Sequence, residues 1–154
     1  MDEFDRKICE IVQRDGRASS AAIAKAVGVP TSTANDRLRR LSSTGAIQGW
    51  HARLDAERVG AGLACFVLID MGYEGEESAV TTICARPEVM EVHHISGAHS
   101  YLAKIRVRDM AVLETLLAEV IKPLPAVQST ETIFAIRTLK ETAEVPVAPG
   151  ADGG

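Results

Sequence analysis

The 154-residue chain reads as an α+β protein built from two modules. Three observations carry this reading. Apolar residues recur at helical spacing in three consecutive segments before residue 45, and from Gly62 the periodicity changes to strands alternating with helices. Charge segregates as well: residues 1–60 carry 10 basic and 8 acidic side chains, residues 61–154 carry 7 and 13. With 46% hydrophobic residues the chain can bury a real core, as one domain or two small ones. The expected division is a helical module over 1–50, a linking strand or hinge over 51–61, a second module over 62–140 and a disordered tail over 141–154. The sequence AEVPVAPGADGG at the end of that tail has no period.

A first helix starts at Asp2 or Asp5, either able to cap it, and runs to about Arg14. Phe4, Ile8, Ile11 and Val12 form its apolar stripe, and Asp15-Gly16-Arg17 ends it. A second helix is capped by Ser19 or Ser20, with Ala22, Ile23, Ala26 and Val27 on one face. Gly28 supplies a left-handed terminus and Pro30 stops the helix. A third helix, capped by Thr31 or Ser32, places Ala34, Leu38 and Leu41 at i, i+4 and i+7. Its other face carries Ser32, Thr33, Asn35, Arg37 and Arg40, with Arg39 nearby.

Arginines suit phosphate or guanine, and small hydroxyls and an amide suit base edges, so the pair of helices reads as a helix-turn-helix with a recognition helix for double-stranded DNA. A plain helical hairpin with a solvated basic face is the alternative. Residues 17–53 favour the first reading, with six basic side chains against one acid, Asp36, although the whole chain is acidic with a formal charge of −4. Residues 47–53 alternate weakly and read as a strand, the wing of a winged helix-turn-helix. The single tryptophan, Trp50, reads as a packing anchor between modules.

In the second module residues 63–71 are apolar on both faces, as in a strand covered on both sides. Residues 76–85 fit a helix with Val80, Ile83 and Cys84 inward. Strands follow over 89–96 and 101–107, joined by a tight connection at 97–100. On the latter strand Tyr101, Ala103, Ile105 and Val107 share one face, and Leu102, Lys104 and Arg106 the other. Asp109 caps a second helix with the stripe Met110, Leu113, Leu116, Leu117 and Val120, which Pro123 and Pro125 end before a last strand over 127–136. The order βαββαβ is that of a ferredoxin-like sandwich with two helices on one face. Two helices cannot cover both faces of the sheet, so a second copy of the chain is expected on the other.

No ordered nucleophile–base set, paired-carboxylate motif or phosphate loop points to an enzyme or a cofactor. Cys9, Cys65 and Cys84 form no metal-binding cassette, and Cys9 and Cys65 sit in apolar patterns as buried thiols. His93, His94 and His99 with Cys84 raise a metal-responsive alternative. Against it, adjacent strand residues face opposite ways, and no metal site is assigned. The acidic N-terminus and the lack of a long apolar run predict neither a signal peptide nor a membrane span, and so a cytoplasmic protein.

Asp5-Arg6, Asp15-Gly16-Arg17, Leu38-Arg39-Arg40-Leu41, Gly45-Ala46-Ile47 and Gly49-Trp50, followed by the βαββαβ pattern, resemble the Lrp/AsnC (feast/famine) family of transcriptional regulators over about residues 2–140. The resemblance implies a RAM/ACT-like second module that forms a homodimer, often assembling into octamers, and an amino acid or related metabolite as effector. It also implies an effector site at the loop before the third strand, here Gly97, Ala98, His99, Ser100 and Tyr101. His99 stands where the family commonly has an aromatic residue and Ser100 where it has a carboxylate. An amino acid, an effector without an amine, and an effector-independent regulator all stay open on these residues.

Overall fold

The computed structural model describes residues 1–148 and divides them into two units: residues 1–53 with 140–148, and residues 54–139. In the first unit, α1 (Glu3–Arg14) begins in a capping box, Asp2 accepting from the Asp5 backbone N–H and Asp5 reaching back to that of Asp2. Ser19 caps α2 (Ser20–Val27), and Gly28 closes it in the left-handed conformation at φ 79°. α3 (Thr31–Ser43) departs from expectation. Its N-cap is Pro30, and no side chain caps it, neither Thr31 nor Ser32.

The core of this unit is Ile8, Cys9, Val12, Ile23, Ala24, Val27, Ala34 and Leu41. Two expected core positions are exposed, Ala22 and Ala26, because Ala24 takes the inward place on this short helix. Phe4 is also 40% exposed and lies under the Arg37 guanidinium, 5.3 Å from ring centroid to Cζ.

Residues 47–53 form no strand, since the described part of this unit contains no strand to pair with them. Trp50, half exposed, lies instead against Gly16. Residues 141–148 do not behave as the expected free tail. They have no helix or strand, yet the Gln13 amide exchanges two hydrogen bonds with the Val145 backbone, at 2.7 and 3.1 Å. Val147 packs on the helical core, and Arg53 Nη2 donates to the Glu141 carbonyl at 2.7 Å. The rest of the predicted tail, 149–154, lies outside the described residues.

The second unit is a four-stranded antiparallel sheet in the order β2-β3-β1-β4, built from β1 (Leu63–Met71), β2 (Val89–His94), β3 (Tyr101–Val107) and β4 (Val127–Phe134). The helices are α4 (Glu76–Cys84) and α5 (Met110–Thr115), the latter continuing as a π-helical segment over Leu116–Ile121. Cys65, Val67, Ile69, Ala103 and Ile105 meet Ile83, Leu113, Leu116 and Ile121 in the core.

The π-helical path explains a departure from the expected stripe. Inward positions run Leu116 to Ile121, five residues apart, so Ile121 is buried and Val120 moves to the edge. Met110 is 52% exposed, since the buried stripe of α5 starts at Leu113. On α4, Ala79 and Ile83 turn inward while Cys84 is exposed, because its position falls one residue past the inward face. The opposite face of the sheet carries Phe66, Leu68, Leu102 and Ile133, which no element of this unit covers. β2 ends at His94 rather than Ser96, and β4 at Phe134 rather than residue 136.

Candidate nucleic-acid interface and effector loop

Helix α3 presents Ser32, Asn35, Arg39 and Arg40 exposed, with Thr33 and Arg37 half-buried. Asn35 Oδ1 accepts from Ser20 Oγ at 2.5 Å, which pins the start of α2 to α3. The uncapped first turn leaves its backbone N–H groups without side-chain partners at the end of the helix where the dipole favours an anion. Arg39 makes no hydrogen bond or ion pair among the described residues and points its charge to solvent.

Two of the predicted contact residues are tied to α1. Arg37 Nη1 bonds Asp2 Oδ2 at 2.5 Å and Asp5 Oδ1 at 2.8 Å, and Arg40 Nη2 bonds Asp5 Oδ2 at 2.6 Å. Asp5 is buried, and both of its carboxylate oxygens are used. The Asp5 backbone N–H, and after it the Arg37 guanidinium, hold the Asp2 carboxyl below its ordinary value, and the two aspartates raise Arg37 in turn. Arg40 is 56% exposed at its side chain and retains free donors toward solvent. Sequence spacing marks Asp2 and Asp5 as caps but gives no sign of this anchoring.

In the second unit, the loop from β2 to β3 is closed by the Ile95 N–H donating to the Ser100 carbonyl. Gly97 holds φ 125°, a conformation that only glycine adopts without strain. Of the five predicted effector residues, His99 and Tyr101 lie on opposite sides of the sheet. His99 reaches the uncovered side, with Nδ1 3.2 Å from Asp70 Oδ1 and Nε2 3.7 Å from Glu131 Oε2. Ser100 Oγ sits 3.5 Å from the Met71 backbone N–H. Tyr101 lies on the helix-covered side, donating to Glu76 at 2.9 Å and stacking on His94 at 4.8 Å. The bond to Glu76 chiefly raises the Tyr101 phenol above its ordinary value.

Asp70 is the residue that sequence reasoning overlooked. Ser129 Oγ donates to it at 2.5 Å; that bond first, and His99 after it, keep its carboxyl below the ordinary carboxylate value. A register shift at Asp70/Met71 marks a local irregularity of the strand at this point. The loop that lacked a carboxylate in sequence therefore has one from β1 beside it. Its signal was present, as the only charged residue in LACFVLIDM.

The metal-responsive alternative is not favoured. His93 and His94 face opposite sides of β2, and among the described residues no three His, Cys, Asp or Glu side chains converge to hold an ion. Among the described residues no helix is long and apolar enough to cross a membrane.

A helix-turn-helix with a polar, basic second helix, joined to a four-stranded βαββαβ module with a shaped loop, defines a two-module DNA-binding regulator. The chain belongs to the Lrp/AsnC family of transcriptional regulators: residues 1–42 match the AsnC-type helix-turn-helix domain and residues 64–145 the Lrp/AsnC ligand binding domain. It is 32% identical to the HTH-type transcriptional regulator FL11 of Pyrococcus horikoshii, over 96% of this chain and 97% of that protein. It is 34% identical to the leucine-responsive regulatory protein of Escherichia coli, over 92% and 88%. The structure of E. coli AsnC superposes with a TM-score of 0.86 at 26% identity, covering 95% of this chain and 99% of that one. The same fold appears in a Neisseria meningitidis transcriptional regulator in complex with L-Met, with a TM-score of 0.90 at 23% identity over 96% and 97%. These relatives are transcriptional regulators, not enzymes.

Proposed function

We propose that this regulator is a cytoplasmic homo-oligomer that reads DNA with paired α3 helices and answers to a small amino-acid-type effector at residues 97–101. The observation that carries the reading is the exposed, basic end of α3, whose direct contacts we assign to Ser32, Thr33, Asn35, Arg39 and Arg40. Arg37, engaged by Asp2 and Asp5, orients the helix rather than reading a base. The apolar face of Phe66, Leu68, Leu102 and Ile133 supports a dimer formed sheet to sheet, and through it an octamer. Two helices so paired would meet successive major grooves of a pseudo-palindromic site.

For the effector, Asp70 supplies the carboxylate for an ammonium that Ser100 lacks, and His99 a polar partner beside it. The L-Met complex of the Neisseria protein makes methionine the first molecule to try. The test selects a DNA site from random sequence, then measures its affinity for the full chain against salt. Arg39→Ala should weaken binding at all sequences and lower the salt slope by about 1, as loss of a phosphate contact does. Unchanged affinity in both Arg39→Ala and Arg40→Ala would remove α3 from the interface. Sedimentation with and without L-Met, in the native chain and in Asp70→Asn, tests the effector site. No response in the native chain would leave the regulator effector-independent toward methionine.

A further inference from the structure

The chain crosses between its two units twice, at residues 53–54 and again at 139–140. Each crossing is pinned on both sides of the boundary. In the sheet unit, a turn at residues 55–60 holds the first, with Asp55 Oδ1 accepting from the Glu57 and Arg58 N–H groups. The Ala61 carbonyl, accepting from Arg106 Nη1 at 3.3 Å, adds to that hold. The second crossing is held where the Ala135 N–H donates to the Ala64 carbonyl. In the helical unit, Trp50 against Gly16 holds the first. The second is held by Gln13, whose amide pairs with both backbone groups of Val145, and by Val147 on the helical core. Two short irregular stretches remain between these pins, 51–54 and 136–140, extending to at most roughly 14 and 18 Å. Arg53 Nη2, donating to the Glu141 carbonyl at 2.7 Å, ties the one to the end of the other.

A body on one tether of this kind can swing and twist, whereas two tethers side by side leave a single hinge rotation. The restraint reaches α3, because Gln13 is on the last turn of α1 and Asp5 of the same helix bonds Arg37 and Arg40. We propose that Gln13 and residues 141–148 are positioning elements for DNA reading. As the second tether, they restrict the separation and phase of the half-sites that paired α3 helices accept. The inference rests on the paired reading proposed above. A second helix bound through a tether acts at an effective concentration that peaks where the tether matches the span, and a stiff tether narrows the peak. With 141–148 docked, one half-site spacing is favoured; in a chain where the segment is undocked, each reader hangs on 51–54 alone and accepts several. The docking chemistry is that of a strap rather than of a core element. Gln13 pairs with backbone, Val145 is 66% exposed, and Val147 supplies the apolar contact.

The test takes the DNA site selected from random sequence for the full chain and inserts about 5 or 10 base pairs, half a helical turn or a whole one, between its half-sites. In the native chain the half-turn insertion should weaken binding at least about tenfold, and the whole turn should restore part of the loss. Two altered chains are compared with it: Gln13→Ala combined with Val147→Asp, which undocks the strap, and the chain ended after Lys140. In both, the half-turn insertion should cost no more than about threefold. All chains should bind an isolated half-site alike, which a damaged reader would not do, and native Trp50 emission checks its fold. If neither altered chain folds, Gln13→Ala alone decides. A spacing penalty as large in the altered chains as in the native one would overturn the strap's role and leave paired reading intact. Half-site affinity lost together with the discrimination would overturn it as well, by showing that 141–148 support α3 itself. A native chain indifferent to spacing would overturn the paired reading, and the strap's role with it.

Discussion

Replacing Asp5 by Asn should be among the most damaging single substitutions in the DNA-reading module. Asp5 is 2% exposed; its Oδ1 accepts from Arg37 at 2.8 Å, and its Oδ2 from Arg40 at 2.6 Å and from the Asp2 backbone N–H at 3.4 Å. Hydrogen bonds between ionised groups contribute about 1.5–3 kcal/mol each when desolvated. The Arg37 bond, with only 22% of that side chain exposed, deserves most of this range. The Arg40 bond reaches into solvent, where such pairs contribute about 0.5 kcal/mol. An Asn retains one oxygen acceptor but turns its amide toward a guanidinium, so the expected loss is about 2–3 kcal/mol. Trp50 is the only tryptophan and lies against Gly16 in the same unit, so its fluorescence in urea reports this module's unfolding. The double-mutant cycle with Arg37→Gln should show a coupling of at least about 1 kcal/mol. A loss below about 0.5 kcal/mol, or strictly additive losses, would refute the claim that this carboxylate holds α3 to α1.

Further expectations concern both units. Ending the chain after Lys140, or replacing Gln13 by Ala, should lower the stability read from Trp50 by about 1 kcal/mol, since either change removes the paired bonds to Val145; unchanged urea midpoints in both would show the docked segment to be idle. Asp70 has its folded-state carboxyl below the usual 3.8, so its contribution is complete above that value and is lost as pH falls through the lower folded one. The denaturation midpoint of the second unit should thus fall more steeply below about pH 4 in the native chain than in Asp70→Asn, and parallel curves would count against the bond to Ser129. Burial pushes the Cys9 and Cys65 thiols up, whereas Cys84 is exposed. A thiol reagent should therefore modify one cysteine in the folded protein and three in denaturant; rapid labelling of Cys65 would mean that the sheet core opens locally.

Local rules made the helices and strands legible. Asp2, Ser19 and Asp109 cap as their types require, and the alternation of Tyr101, Ala103, Ile105 and Val107 against Leu102, Lys104 and Arg106 is the pleat of β3. What escaped depends on separation in sequence or on competition between near-equal options. Pro30 takes the N-cap from Thr31 and Ser32 because its backbone already has the extended cap conformation, at φ −60° and ψ 149°. The inward turn of Ile121 needs a helix wound more widely than the 3.6 period assumes. At the candidate sites, α3 is legible as a helix with a polar, basic face, but the capture of Arg37 by residues 32 and 35 positions earlier is not. Likewise the connection at 97–100 is legible as a turn between strands, whereas the approach of Asp70 to His99 across 29 residues is not. Spacing along a chain carries no record of such pairings.

The return of residues 141–148 to the helical unit has a consequence for how the molecule is made. In chain order those residues follow the sheet module, yet Val145 and Val147 belong with α1 and the helical core. The sheet module is thus an insertion within the DNA-reading unit rather than an appendage to it. On a ribosome, the helical segment must wait for residues 141–148 before that surface is complete. An emerging chain therefore carries α1 with its Gln13 amide unmatched until the sheet has been translated, which orders assembly: sensor first, finished reader second.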